Sequence, residues 1–373
     1  ADFNDEYDVI VSTGEQVTTG LLALALRRIG VPARSWQNWQ IPFRTDTAHS
    51  KARVADIPEE VIGRSMDEGV VAVVPGFQGV TEDNRITTLG RNGSDYSGAI
   101  FAALFSAKEL HVWSDVDGVL SADPRLVPEA VHIPRLSYSE ACELAYFGAK
   151  VIHPQTMSPA VGREIPIWIR NTFAPDHPAT LICARPESKL AVKGITTIEG
   201  IALINLEGAG MIGVPGTAHR LFGALREEGV SVILISQGSS EHSICCAVPL
   251  EQAQRAASVV RAAFARELEG GQIQSVELDP DLAILAVVGD GMAGIPGIAG
   301  KVFNALGSAA VNVRAIAQGA SSRAPFRSRR RARWPSSSSS SVSRPSPGGQ
   351  VRRTNRPIVS TSLISRDSSI TIR

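Results

Sequence analysis

Residues Gly208–Gln237 and Gly289–Gln318 are copies of one another, offset by 81 residues without a gap. Gly208-Ala209-Gly210-Met211-Ile212-Gly213-Val214-Pro215-Gly216 aligns with Gly289-Asp290-Gly291-Met292-Ala293-Gly294-Ile295-Pro296-Gly297. Phe222 aligns with Phe303, Leu225 with Leu306 and Val230 with Val311. Each copy predicts a strand, a Gly/Pro-rich turn, an amphipathic helix and a second strand. Gln237 and Gln318 fall at matching places just past a strand. A lone glutamine there is ordinarily solvated. Two at one register of a duplicated unit are ligand candidates, since the amide both donates and accepts. The first copy continues through Glu241–Val248 as another strand, whereas the second breaks after Ser321.

Where the matching strand is due, the chain reads Ser322-Arg323-Ala324-Pro325-Phe326-Arg327, followed by Arg329–Arg331 and Ser336–Ser341. Such composition buries little apolar surface, so residues 322–373 are expected to be disordered. They hold 12 Arg, no Lys and one acid, leaving 25 basic and 36 acidic residues before them. The formal charge of zero therefore hides a body at −11 and a tail at +11. An acidic body argues against nucleic acid as a partner. A basic tail for nucleic acid or membrane is one explanation; a change of reading frame better accounts for the loss of lysine. No N-terminal signal pattern is present, and no apolar run approaches the ~20 residues of a spanning helix, so no membrane association is expected. Cys142, Cys183, Cys245 and Cys246 lack metal-ligand spacing; no metal held by the protein is expected, and the thiols suit a reducing cytoplasm.

From residue 8 to 170, strands, Gly turns and helices alternate, which predicts a mostly parallel sheet covered by helices. Asp8–Ser12 reads as a buried strand, Thr13–Gln16 as a turn and Leu21–Ile29 as a helix. That places Glu15 at a strand-to-helix turn, where open α/β sheets meet ligands; alone it is an ordinary first-turn acid. Pro58–Glu68 reads as a helix and Val70–Pro75 as a second strand. The stretch Leu89-Gly90-Arg91-Asn92-Gly93-Ser94-Asp95-Tyr96-Ser97 comes next, ahead of a helical run. Its glycines allow close approach to a ligand, Ser94 or Asp95 can cap the helix, and Arg91 offers a planar fork to a carboxylate or phosphate. Helix N-termini bind anions. A plain strand–turn–helix junction explains the same residues. Leu110–Trp113 predicts a third strand, followed by Ser114-Asp115-Val116-Asp117. Such acids hold Mg²⁺, contact a nucleotide, or simply make the turn. Arg125 and Lys150 are candidate phosphate partners or solvated cations.

Gly76-Phe77-Gln78-Gly79, Leu89–Ser97, Ser114–Val119, Asp123-Pro124-Arg125 and Phe147–Pro154 stand in the order and spacing of the aspartate kinases, which the chain resembles over about residues 7–320. The resemblance implies an α/β architecture: an amino-acid-kinase fold, with a mostly parallel sheet between helix layers, followed by tandem ACT-like βαββαβ modules. The expected bounds are 1–185 for the kinase domain, 197–268 and 282–321 for the two modules, the second incomplete, and 322–373 for the tail. By resemblance Glu15, Arg91, Asn92, Gly93, Ser94 and Asp95 belong to an aspartate site. Ser114, Asp115, Arg125, Lys150 and Val151 belong to a nucleotide site for ATP with Mg²⁺, the product being 4-phospho-L-aspartate. Gln237 and Gln318 become effector contacts, and the modules a means of homo-oligomerisation. Stretches 234–243 and 315–319 resemble the threonine-sensitive bifunctional aspartokinase–homoserine dehydrogenases, which suggests threonine. No dinucleotide fingerprint follows Ser321, so homoserine oxidation is not expected. Ser114 stands where relatives usually carry Thr, and Leu120 where they carry Tyr. The Lys-Phe-Gly-Gly-Thr-Ser loop of relatives, with its phosphate-contacting Lys, is absent. That absence favours a second possibility, a regulatory chain that binds amino acids without turnover.

Overall fold

The computed structural model describes residues 3–41, 43–57, 60–148, 151, 154–188, 190–238, 241–292, 295–317, 324–328, 361–364 and 369–372. They divide into two compact units. One comprises Ala1–Ser121, Glu129–Ser188 and Ser340–Arg373; the other comprises Ala122–Pro128 and Lys189–Ser339.

The first unit is built on an eight-stranded sheet. In spatial order its strands are Ala33–Ser35, Val71–Pro75, Thr361–Ile364, Ser369–Ile372, Glu109–Ser114, Ile167–Asn171, Thr180–Cys183 and Arg135–Ser137. Pairing is mixed rather than uniformly parallel: Thr361–Ile364 runs against Val71–Pro75, and Thr180–Cys183 against Ile167–Asn171. Val71–Pro75 is an unbroken apolar run, buried from Ala72 onward, as a strand covered on both faces must be. Glu109–Ser114 and Ile167–Asn171 bury Leu110, Val112, Ile167 and Ile169 on one face. A small second sheet, ordered Val54–Asp56, Arg44–Thr45, Gln78–Val80, Ile86–Thr88, extends from the turn after Val71–Pro75.

Residues 4–28 differ from expectation. Asp8–Ser12 is not a strand; Asn4–Arg28 is one helix of 25 residues. Asp8, Ser12, Thr19 and Ala23 are its buried positions, all on one helical face. The Asp8 carboxylate accepts from the Thr88 N–H (2.9 Å) and hydroxyl (2.7 Å), the Ser50 N–H (2.9 Å) and hydroxyl (3.1 Å), and lies 3.2 Å from His49 Nδ1. These contacts outweigh the strand preference of Val9-Ile10-Val11. By length and composition this helix is also long and apolar enough to cross a membrane, contrary to the expected lack of such a segment. Here Ala23 packs against Ala33 and Val73 of the sheet.

The expectation of disorder across 322–373 is also corrected in part. Ala324–Ser328, Thr361–Ile364 and Ser369–Ile372 are strands; other residues of that stretch lie outside those described. A strand takes its backbone hydrogen bonds from its neighbours, so an Arg/Ser-rich average conceals short runs such as Ser369-Ile370-Thr371-Ile372.

In the second unit two 14-residue strands, Gly194–Glu207 and Ser275–Val288, lie antiparallel and form the spine. Their pairing shifts register near Ile198/Ile201, where Gly200 (φ 71°) and Asp281 (φ 57°) occupy equivalent places in the repeat. Residues 201–207 pair with Ser243–Pro249, which carries Leu234–Gln237 at its edge. Residues 283–287 pair with Ala324–Ser328, which carries Val313–Ile316. Each four-stranded module is thus completed by half of the other copy's long strand: 275–279 closes the first and 194–198 the second. Helices Thr217–Glu227 and Ala253–Ala263 cover the first module through Leu221, Leu225, Ala256 and Val260, against Ile204, Leu206, Cys246 and Val248.

Candidate active site

Strand Val71–Pro75 ends in Gly76, where the chain meets the start of helix Gly93–Leu104. A Cβ on Gly76 would lie 3.0 Å from the Ser94 Cα, and one on Gly93 would lie 2.9 Å from Phe77 Cδ2. Only glycine allows the two turns to interlock. The Phe77 N–H donates to Ser97 Oγ (3.0 Å), and the Leu89 N–H donates to the Phe77 carbonyl (2.8 Å). Phe77 holds φ at 71° and Asn92 at 56°. Positive φ at a bulky residue is backbone strain of the kind found at binding sites.

Asn92, not Ser94 or Asp95, takes the cap position of that helix, and no side chain caps it. Ser94 and Asp95 lie in its first turn. The helix therefore offers uncapped N–H groups to an anion. Arg91 is exposed just ahead of them. Asp95 is half-buried, and desolvation pushes its carboxyl up to about 6. A first-turn acid gains only about 0.3–1 kcal/mol from the helix dipole, too little to offset that burial. Neither Arg91 nor Asp95 has an ionic or hydrogen-bonding partner among the described residues.

Glu15, expected at a turn, lies within the helix Asn4–Arg28, between two anchors on its inward face. Ala23 packs on Val73, while Asp8 bonds to Thr88, which pairs with Gln78. Eight residues before Ala23, Glu15 is about 12 Å from it along the helix axis.

Val71–Pro75 and Glu109–Ser114 run in the same direction, so both carboxyl ends reach one edge. Ligands of α/β sheets bind at such an edge. There the Ser114 hydroxyl donates to Asp115 Oδ1 (3.1 Å), and the Thr172 N–H donates to the Ser114 carbonyl (2.8 Å). Asp115 is exposed. Asn171 Nδ2 donates to Asp117 Oδ1 (2.7 Å), tying the ends of the two neighbouring strands. Val151 is half-buried; Lys150 lies outside the described residues. Arg125, in the segment assigned to the second unit, is held by Asp123 at 2.6 Å with its side chain 80% exposed. That ion pair raises its pKa. Gln237 ends the strand Leu234–Gln237 and is exposed, while Gln318 lies outside the described residues. The neighbouring Ser236 hydroxyl donates to the Ile316 carbonyl (3.0 Å), so the matching strands of the two copies meet.

Known proteins resemble this chain in sequence and fold. The amino acid kinase family matches residues 2–171, and the ACT domain matches 204–264 and 285–324. An aspartokinase from Thermus thermophilus is 35% identical over 84% of this chain and 76% of its own length. The chain belongs to the aspartokinase family. It is also 42% identical, over 84% of its length, to a chloroplastic bifunctional aspartokinase/homoserine dehydrogenase of Arabidopsis thaliana, of which it spans 36%. Among solved structures, E. coli aspartokinase III in complex with aspartate and ADP superposes with a TM-score of 0.71 at 28% identity, covering 88% of this chain and 73% of that one. Two features near this candidate site escape a reading of the motifs: the positive φ of Phe77 and the buried Asp8. The spacing of Asp8, Ser12, Glu15 and Thr19 is helical, and it is the signal that could have found the second.

Proposed function

We propose that the chain transfers the γ-phosphoryl group of ATP to the β-carboxylate of L-aspartate, giving 4-phospho-L-aspartate. The observation that carries this reading is the pair of unpartnered groups, the Arg91 guanidinium and the desolvated Asp95 carboxyl, beside an uncapped helix N-terminus. Arg91 binds the substrate carboxylate through paired N–H donors, Glu15 takes its ammonium, and Asp95 orients the site by hydrogen bonding. Asn92, Gly93 and Ser94 supply the turn's backbone. We assign Ser114, Asp115 and Val151 to the nucleotide side. No three His, Cys, Asp or Glu side chains cluster among the described residues. Mg²⁺ needs only one or two carboxylates and otherwise takes water and phosphate oxygens; Asp115 would hold it. The ion would supply charge neutralisation on the phosphates, the main requirement of phosphoryl transfer. The E. coli relative, seen with aspartate and ADP, supports the assignment of substrates.

Coupled assay of aspartate-dependent ADP release tests the reaction, with turnover in the ordinary kinase range of ~1–100 s⁻¹ expected; no aspartate-dependent release would overturn it. Arg91→Ala should raise the aspartate KM by about tenfold, the worth of one modest charged contact. An unchanged aspartate KM and kcat would remove Arg91 from the site.

The regulatory reading rests on the same footing. We infer that threonine binds beside Gln237 and its counterpart Gln318, and that the modules associate between copies; an E. coli relative has been seen with lysine. Calorimetric titration should show threonine binding that is lost in Gln237→Ala. Lysine heat without threonine heat would overturn the effector assignment.

A further inference from the structure

The loop that follows strand Glu109–Ser114 is seated on a buried hydrogen-bonded hub. Beyond Asp117 the chain turns at Gly118 and then runs antiparallel to residues 131–133, with Leu120 opposite His132. Gly118 holds φ at 112°, and a Cβ there would lie 2.6 Å from Thr180 Oγ1 and 2.9 Å from His132 Nε2. Only glycine leaves room for both side chains. The loop that begins with Ser114 and Asp115 therefore ends packed directly on Thr180 and His132.

Thr180 is fully buried, and its hydroxyl is saturated. It donates its one hydrogen to the Ile133 carbonyl (2.7 Å) and accepts from the Val119 N–H (2.9 Å). His132 Nε2, 3.1 Å away, can then only donate to it. The neutral His132 ring thus carries its proton on Nε2, and a further proton must go to Nδ1. The His177 ring meets the His132 ring at 89°, with 5.7 Å between centroids. A charged His132 in this place lies against another imidazole rather than in water.

We propose that His132 is a positioning residue for nucleotide binding: its neutral ring holds the loop Ser114–Val119 in place through Thr180 and Gly118, and protonation releases that loop. The inference rests on the assignment of Ser114 and Asp115 to the nucleotide side. Desolvation, the largest influence, and then His177 hold the His132 pKa below its ordinary 6.5, while Asp117 on the loop acts in the opposite sense. A ring that swings out to water regains the ordinary value, so the released loop binds the proton more tightly. As pH falls below about 6.5, the population shifts toward the released loop. Nucleotide that prefers the held loop must in return lower the proton affinity of His132 by the same factor.

Calorimetric titration with ADP in excess Mg²⁺, at about pH 8 and about pH 5.5, on either side of an ordinary histidine pKa, tests this on the wild type and on His132→Gln. The glutamine amide donates as Nε2 does but takes up no proton. Titration of ADP itself is common to both proteins and cancels in their ratio. The loss of affinity on acidification should be about fivefold greater in the wild type than in the variant, the lower end of ordinary coupling between sites. Proton magnetic resonance gives a second readout. The His132 imidazole signal, identified by its absence from the variant, should titrate at lower pH with ADP bound than without it. Equal losses of affinity in the two proteins, or a His132 midpoint that ADP leaves in place, overturns the proposal. If neither protein binds ADP at pH 8, the nucleotide assignment itself falls, and this inference with it.

Discussion

Asp8→Ala should destabilise the first unit by about 3–5 kcal/mol, the usual cost of breaking a buried hydrogen-bonded carboxylate network. Asp8 is fully buried, and its two oxygens receive the N–H groups of Ser50 and Thr88 as well as both hydroxyls. The hydroxyls can turn to new acceptors, but the backbone N–H groups cannot. Each left unsatisfied costs about 1–3 kcal/mol, so two of them account for most of the effect. Asp8→Asn, which keeps one acceptor oxygen and the shape, should lie between the variant and the wild type. Urea unfolding followed by circular dichroism measures the difference. A loss below about 1 kcal/mol would mean that water replaces the carboxylate. Because Asp8 ties the helix to Thr88, next to Leu89–Ser97, the alanine variant should also lose order at the turn that presents Arg91.

Asp95→Asn should act in the opposite sense, making the protein more stable at neutral pH while impairing turnover. Desolvation lifts the Asp95 carboxyl from 3.8 to about 6, so ionised Asp95 opposes folding by up to about 3 kcal/mol at pH 7. The sign follows from proton binding. Between about pH 4 and 6 the folded state holds more protons than the unfolded state, so stability falls as pH rises through that window. The amide removes this penalty. Its advantage should be largest above pH 6 and vanish below about pH 4, where aspartate is protonated in both states. Thermal melts of the two proteins at pH 7.5 and pH 4 decide the point; a gain that is the same at both would exclude titration of Asp95 as its cause. A destabilising carboxyl at a site that gains function from it is the usual trade between stability and activity.

The parts of this fold that could be read from the sequence are those in which one residue type has one use. The glycines at 90 and 93 announced a close-packed turn, and the structure interlocks Gly93 with the turn at Gly76. The duplicated segments announced two related modules, the second broken after Ser321; the structure nevertheless pairs Ala324–Ser328 with 283–287 where the missing strand was due. The helix Asn4–Arg28 was obscured because its pattern is reversed. With polar residues inward, the β-branched run Val9–Val11 resembled a strand bounded by a glycine turn, and Glu15 was placed at a junction that does not exist. The long strands were obscured for another reason: Gly200 looks like a turn, but pairing continues on both sides of it. Arg91 and Asp95 were legible as candidates. Their lack of internal partners was not, because it depends on what the rest of the chain leaves empty around them.

The exchange of half-strands between the two regulatory modules also governs how the protein is made. Residues 194–198 find their partners only at 284–288, and the first module closes only when 275–279 arrives. At about 5–20 residues per second, the ribosome separates these events by roughly 5–20 s. Through that interval the β-branched segment Ile195–Ile198 emerges without its pairing strand, an open edge of the kind that recruits other chains. Contacts so far apart in sequence close slowly even after release. The same interlock that makes two modules one body therefore makes the nascent chain dependent on shielding during its synthesis, and a pause in translation between residues 200 and 288 lengthens its exposure.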